Sequence, residues 1–321
     1  MRTAATDIAR WLESQRRIAI LTHLHPDGDA LGASMALALA LRARGKEAFV
    51  CCQDGAPDFL SMLPAEGLLF LPEAAPYAPE TVVCVDCGAL NRFGRAASLL
   101  RPGAPLACID HHETNDIAAS PAFVDPKAAA AGELVAEVID ALGVKLDETL
   151  ALCLYVAVST DTGNFSFDCT TPECLSLTAR CLQTGLDLSE LNYELFRRRT
   201  MPRTKLLGRA LNGIEFSEGG RLSLMRVRQS DFAECGAGTA DTEAVVNFGI
   251  DTAGVEIAVL AVELADGTVK FSLRSRGGIN VASMAAPLGG GGHAKAAGVT
   301  LQAGFDEAVE AVMSAARRAL G

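Results

Sequence analysis

The sequence predicts an α/β fold: an N-terminal parallel-sheet domain, a helical linker, and a smaller α/β domain at the C-terminal end. Three observations carry that expectation. Through residue 185, short apolar runs alternate with helical patterns, as parallel strands with helical crossovers require. Beyond residue 212 the pattern changes to hairpins, with Gly219-Gly220 and Asp266-Gly267 at their turns. The 321 residues, 50% hydrophobic and 21% charged, suffice for two cores of ordinary size. The expected organisation is 1–185, a linker at 186–211, and 212–321.

Arg17–Thr22 (RIAILT) is the first expected strand. HLHPDGDALG follows, then a helix from Ala33 to Arg44. Gly28 and Pro26 are expected to keep the motif out of regular helix. Ala48–Cys52, Thr81–Val85 and Leu106–Ile109 are further strands, the last two ending at Asp86 and Asp110. Helical patterns fill Gly132–Leu142 and Asp147–Thr160, and the sheet is expected to be covered on both faces. In such sheets, sites gather where the carboxyl ends of strands open into loops. His23, Asp86 and His111 all stand at such ends.

The linker, Leu186–Leu211, carries Arg197, Arg198, Arg199, Arg203, Lys205 and Arg209. This is either a solvated helix face or a basic wall facing a substrate cleft. After it come a hairpin over Gly213–Arg228, a helix at Thr242–Phe248, and a second hairpin from Val255–Leu264 and Thr268–Arg274. A short helix at Val281–Ala286 precedes the glycine run, and an amphipathic helix at Phe305–Leu320 ends the chain.

The net charge of −11 argues against long duplex or single-stranded nucleic acid, whose binding rests on neutralised phosphates. Met1–Arg17 is polar and mixed, unlike a signal peptide, and the apolar run Ala33–Leu41 is too short to span a bilayer. The expectation is a cytoplasmic protein with no membrane partner. The ten cysteines then read as small buried hydrophobes without disulfides. Cys84 and Cys87 form the one CxxC. On a strand they would face opposite sides, which argues against a zinc pair.

All five histidines fall in three motifs. His23-Leu24-His25-Pro26-Asp27-Gly28-Asp29 packs two imidazoles and two carboxylates into one strand-to-helix turn. Asp110-His111-His112 follows the apolar strand LACI, where a carboxylate beside a histidine can orient its ring. Asp161 follows an apolar helix and by itself reads as a cap of the next turn. Asp86 is likewise unremarkable in isolation. Together these groups offer the atoms that hold two divalent cations, and a carboxylate-rich mixture with imidazole favours manganese.

Read in order, HLHPDGDALG, the aspartate of VVCVDCG, IDHHETND and STDTGNF resemble the DHH family of phosphoesterases. RSRGGINVASMAAPLGGGGHAKAAG resembles the small domain associated with one branch of it. The resemblance covers nearly the whole chain. Within that branch the chain is most similar to the short oligoribonucleases (nanoRNases) that also dephosphorylate adenosine 3′,5′-bisphosphate.

The resemblance implies that His23 and Asp27 hold one metal and Asp29 the other, that Asp86 bridges both, and that His111 and Asp161 complete the second site. It implies a catalytic role for His112, facing the scissile phosphate, with Asp110 orienting its neighbours; His25 stands near but is no ligand. Two such cations can share a bridging water, lower its pKa and clamp phosphate oxygens for in-line attack.

The second domain is expected to choose the substrate. Backbone amides at Gly290, Gly291 and Gly292 can approach an anion closely. The resemblance implies that Arg274 and His293 grip the nucleotide and its terminal phosphate, while Arg276 is peripheral. The expected substrate is a short oligoribonucleotide or the 3′,5′-bisphosphate. The alternative is a linear or cyclic adenine dinucleotide messenger (pApA or c-di-AMP). A family II-type pyrophosphatase should lack the GGGGH domain, and a RecJ-type exonuclease should be longer. A regulator that binds nucleotide without catalysis is the reading from another class. A homodimer is left open.

Overall fold

A computed structural model of the chain describes residues 3–321; residues 1 and 2, which the expected first domain includes, lie outside the described residues. The chain divides between Arg198 and Arg199 into two units.

The first unit runs α1 (Thr3–Glu13), β1 (Arg17–Leu21), α2 (Gly28–Ala43), β2 (Glu47–Cys51), β3 (Leu69–Phe70), β4 (Thr81–Val85), β5 (Leu106–Asp110), β6 (Ala122–Val124), α3 (Ala131–Ala141), α4 (Glu148–Asp161), α5 (Pro172–Leu182) and α6 (Leu188–Asn192). Its six strands form one parallel sheet in the order β3-β2-β1-β4-β5-β6. The chain builds outward from β1 in one direction, then returns to start β4 on β1's other side. Strand order therefore reverses between β1 and β4, and the carboxyl ends there open a crevice. Leu21 pairs with Cys84 and Val85 with Ile109, so the residues after β1 and β4 and at the end of β5 share one edge.

Strand β4 reads TVVCV and is buried at every position, as a parallel strand covered on both faces should be. The two covers differ. Ile18, Ile20, Val83, Val85 and Ile109 join a large core with the helices, among them α2 and α4, which are apolar nearly all round. Ala19, Leu21, Phe49, Val82, Cys84 and Cys108 face the other way, against Phe93 and Ala96 of 3-10 turns at Leu90–Leu99 and against Tyr77. Truncating a fully buried helix residue such as Leu31 to alanine costs about 2–5 kcal/mol.

All ten cysteines are free. The expectation that Cys84 and Cys87 face opposite sides is overturned: both pack in the same apolar cluster. β4 stops at Val85, and Asp86 takes a φ of 53°, which turns the chain before Cys87. Among the described residues no group that could hold a metal includes a cysteine.

The expected continuous helical linker is broken. After α6, a π turn at Tyr193–Arg197 runs into the extended Arg198. Helix α7 (Met201–Asn212) then restarts, with the Thr200 hydroxyl accepting from the Arg203 amide and Pro202 in the first turn. The basic residues of this stretch are largely tied to local acceptors. Arg198 donates to Glu194 at 2.7 Å, Arg209 pairs with Asp231 at 2.8 Å and Glu234 at 2.5 Å, and Arg203 donates to the Glu243 carbonyl. That favours the solvated face over the basic wall.

After α7 the second unit runs β7 (Glu215–Ser217), β8 (Leu222–Val227), α8 (Gln229–Cys235), α9 (Val245–Ile250), β9 (Ile257–Glu263), β10 (Val269–Ser275), α10 (Val281–Ala285), β11 (Gly291–His293), β12 (Ala296–Leu301) and α11 (Phe305–Leu320). Its mixed sheet has the order β11-β12-β10-β9-β8-β7, parallel only between β8 and β9. One face packs on α10 and α11, the other on α7, α8 and α9. The helix expected at Thr242–Phe248 starts later, because Ala244 has a φ of 61° and ends no helical turn. No described helix is long and apolar enough to cross a membrane.

Candidate metal centre

Each side chain of the first-unit cluster is delivered by the end of a regular element. His23 follows β1, Asp86 follows β4, and Asp110 ends β5 with His111 and His112 directly after it. Asp161 closes α4. Asp27 and Asp29 come from the start of α2, which begins at Gly28 and not near Ala33 as expected. The Asp27 carboxylate caps that helix by accepting from the Ala30 amide at 2.9 Å. Gly28 is thus a helical residue. Its role is close approach: a Cβ there would lie 2.3 Å from the Thr160 hydroxyl, so glycine lets α2 sit against the end of α4.

The groups converge on Asp86, which is 2% exposed. His23 Nε2 lies 3.5 Å from Asp86 Oδ2 and 3.9 Å from Asp27 Oδ2. His111 Nε2 lies 3.5 Å from Asp86 Oδ1, 3.2 Å from Asp161 Oδ2 and 3.8 Å from Asp29 Oδ2. Two sets, His23–Asp27–Asp86 and Asp29–His111–Asp161, each bring their ligand atoms within 4.8 Å of one another. A third set, Asp86–His111–His112, overlaps them. Asp86 Oδ1 is buried with no hydrogen-bond partner. An orphaned carboxylate oxygen between two imidazoles, with further carboxylates on either side, fits a cation.

The rings are held for such a task. His23 Nδ1 contacts the Leu24 carbonyl at 2.8 Å and His111 Nδ1 the Ala128 carbonyl at 3.2 Å. A carbonyl only accepts, so Nδ1 carries the proton and Nε2 faces the carboxylates. Asp29, wholly buried, accepts from the amides of Ala131 at 2.6 Å and Gly132 at 2.8 Å, the free N–H groups at the start of α3. Asp86 keeps its left-handed backbone at the point of convergence, a strain that clusters at functional sites.

Burial and the neighbouring Asp86 push the Asp27 carboxyl up, and burial with repulsion from Asp86 and Asp161 pushes Asp29 well up. Asp86 goes the other way. Burial opposes its charge, yet the imidazoles of His111 and His23, each 3.5 Å away, hold it below the usual carboxylate range. Burial also pulls His111 down, but Asp161 and Asp86 overcome it and raise the imidazole to about 12. The pocket thus has more carboxylate charge than its histidines balance comfortably.

His112 belongs to a second chain of contacts. Its Nδ1 donates to Asp110 Oδ1 at 2.7 Å, which raises its pKa. Asp110, wholly buried, also accepts from Asn115 Nδ2 at 2.5 Å. Asn115 Oδ1 accepts from the Ile117 amide at 2.9 Å, which fixes which way the amide faces. Burial opposes ionised Asp110, but His112 and Asn115 hold its pKa down. His25 stands apart: its side chain is 83% exposed, its φ is 53°, and its amide donates to Asp54 at 2.7 Å.

In the second unit Arg274 lies half-buried on β10, with Nη1 donating to the Leu273 carbonyl at 3.0 Å. Burial lowers its pKa, and it forms no ion pair among the described residues. Gly291, Gly292 and His293 form β11 and are exposed, and Gly290 precedes them half-buried. Arg276 pairs with Asp251 at 3.0 Å on the surface.

Two groups escaped the sequence reading. Asn115 lies within IDHHETND, but nothing in that string says its amide returns to Asp110. Glu133 is nearly buried and accepts from the Ala129 amide at 3.2 Å and the Thr171 hydroxyl at 3.0 Å. It thereby braces the turn whose Ala128 carbonyl holds His111. Its place at the start of the apolar stretch AGELVAEV, which also holds Glu137, is the one signal the sequence offers.

A model described as the DHH family, N-terminal domain, matches residues 17–158, and one described as the DHHA1 domain matches residues 232–321. The chain is 36% identical to the bifunctional oligoribonuclease and PAP phosphatase NrnA of Thermus thermophilus, over 94% of this chain and 90% of that protein. It is 26% identical to the protein of the same name from Bacillus subtilis, over 94% and 95%. Among solved structures, an exopolyphosphatase-related protein from Bacteroides fragilis shares the fold with a TM-score of 0.88 at 24% identity, over 99% of this chain and 96% of that one.

Proposed function

The chain belongs to the DHH family and is a metal-dependent phosphoesterase, and we propose that it hydrolyses short oligoribonucleotides and adenosine 3′,5′-bisphosphate using two manganese ions. The observation that carries this reading is the convergence of His23, Asp27, Asp29, His111 and Asp161 on Asp86, whose Oδ1 has no hydrogen-bond partner. His23 and Asp27 would hold one ion, Asp29, His111 and Asp161 would hold the other, and Asp86 would serve both. When bound, the ions supply Lewis acidity toward phosphate oxygens and an activated water for in-line attack.

The chain's own groups do the rest. His112 has its Nδ1 committed to Asp110, so Nε2 is the atom left for the phosphoryl group or the leaving oxygen. Asp110 keeps that ring in one orientation. Arg274 and His293 bind the nucleotide and its terminal phosphate, aided by the backbone at Gly291 and Gly292; the Gly290 amide, expected to help, already donates to the Ala285 carbonyl at 3.0 Å. Arg274 suits the task because it has no carboxylate to neutralise it.

A product-resolved assay in manganese tests the proposal. The panel is adenosine 3′,5′-bisphosphate, a dinucleotide, a five-mer, long RNA, and linear and cyclic adenine dinucleotides. The bisphosphate and the short strands should be turned over well and long RNA poorly. A preference for the cyclic dinucleotide would move the protein to messenger hydrolysis. Tight nucleotide binding with no product would make it a regulator.

A further inference from the structure

We propose that Phe167, in the loop that directly follows Asp161, is a stacking platform for a nucleobase of the substrate. This rests on the nucleotide reading above. Phe167 is 58% exposed, more than any other phenylalanine, tyrosine or tryptophan among the described residues. The exposure does not come from a loose loop. The Asn164 amide donates to the Ser159 carbonyl at 2.7 Å and the Phe165 amide to the Thr162 hydroxyl at 3.0 Å. The Ser166 and Phe167 amides both donate to the Thr162 carbonyl, at 2.9 and 3.0 Å, and Thr170 donates back to Phe167 at 3.1 Å. Phe165 turns inward and packs beside Tyr155, ring centroids 6.2 Å apart.

Gly163, Asn164 and Phe165 all take positive φ, 55°, 55° and 61°. Two of these are not glycine, and such backbone persists only where the surroundings enforce it. Its effect is to set Gly163 under the Phe167 ring. A Cβ on Gly163 would lie 2.4, 2.5 and 2.6 Å from Cζ, Cε1 and Cε2. A point nearly equidistant from three adjacent ring carbons lies over the ring's face, not off its edge. One face therefore rests on the glycine, and only the opposite face is offered to solvent.

A flat apolar face with no polar handle selects a flat π-surface, and it offers no hydrogen bond to read base identity. The backbone at Phe167 returns to the carbonyl of Thr162, the residue after Asp161, so the platform stands in the same loop as the group proposed to bind the metal and, through it, the phosphate. That is where a nucleoside attached to the reacting phosphate would lie. The platform accordingly contributes affinity for any base and no sequence preference.

Three variants test this: Phe167→Ala, Phe167→Leu and Phe167→Trp. Both Ala and Leu should raise KM for the dinucleotide roughly ten-fold with little change in kcat, and narrow the preference for it over an abasic analogue; Trp should restore it. Leucine keeps apolar bulk on Gly163, so a wild-type KM in Phe167→Leu would overturn the stacking role. So would equal losses on the base-bearing and abasic substrates. The tryptophan variant gives a reading independent of turnover, since Trp11 is the chain's one natural tryptophan. Adenosine 5′-monophosphate should quench Phe167→Trp and leave the wild type unquenched. Quenching that follows protein concentration and ignores nucleotide would assign the ring to self-association and overturn the proposal. If the wild type cleaves no nucleotide yet the variant is quenched, the substrate reading fails and the platform stands.

Discussion

In the first unit, nearly every group that could touch a metal is braced by a backbone partner: Asp29 by two amides of α3, Asp27 by the Ala30 amide, His23 and His111 by carbonyls. In the second unit, His293 and the glycines before it are exposed, and the Arg274 guanidinium leans on its own neighbour's carbonyl. The first arrangement is fixed before any ligand arrives and holds an excess of negative charge. The second is open, and its Arg274 guanidinium has no carboxylate against it among the described residues. Damage to the first should therefore appear in kcat and stability, and damage to the second in KM.

The largest effect should come from Asp86→Ala. It removes the group that both histidines face, and hydrolysis should fall by about 10³-fold or more even for a simple aryl phosphate ester, several kcal/mol of lost stabilisation. Metal content measured on the purified variant should fall with it. Full metal content with full turnover would break the comparison at its root.

Metal removal comes next. With free metal at about 100 times its dissociation constant, the loaded protein gains about 2.7 kcal/mol, read as a higher Tm than in chelator. The pH sense follows from the carboxyls. Asp27 and Asp29 have raised values when no cation is bound, so in chelator they favour the folded state at low pH and lose that contribution as pH rises through their folded values. Cations must displace those protons. The Tm gap between loaded and chelated protein should be widest at neutral pH and close on acidification; a gap that widens in acid would contradict the assigned ligands.

Arg274→Ala should raise KM for a dinucleotide roughly ten-fold or more, the usual scale for a hydrogen bond to a charged group, and change aryl phosphate hydrolysis far less. Equal losses on both substrates would erase the division of labour between the units. Asn115→Ala should lower kcat by a smaller factor, about ten-fold, because it acts on His112 only through Asp110. The smallest effect should be Arg276→Ala. Its surface pair with Asp251 is worth less than about 1 kcal/mol, and KM should stay near wild type.

What was legible in the sequence follows the same division. The parallel strands could be read because their apolar runs are continuous, and β4 has the bounds its sequence suggests. His23, Asp86, Asp110 and His111 could be read because acidic and imidazole residues stand at strand ends, where the fold class puts chemistry. The start of α2 could not. A proline and two aspartates look like a loop, whereas the Asp27 cap and the close approach of Gly28 to Thr160 start the helix at Gly28. Nor could the Cys84–Cys87 geometry, which depends on the left-handed turn at Asp86. Asn115 acts through bonds to Asp110 and Ile117 within one irregular loop, and Glu133 through bonds to Ala129 and the distant Thr171; such bonds leave no periodic trace. Helix α5 carries its own start signal, a Thr171 cap followed by Pro172.

Asp29 offers a way to watch the pocket from its rear wall. Its two oxygens grip the Ala131 and Gly132 amides at the mouth of α3, so whatever charge gathers in front of Asp29 is felt by those two N–H groups. Their hydrogen-exchange rates and nitrogen chemical shifts become a built-in gauge of filling. They can be followed in solution without substrate, chromophore or label.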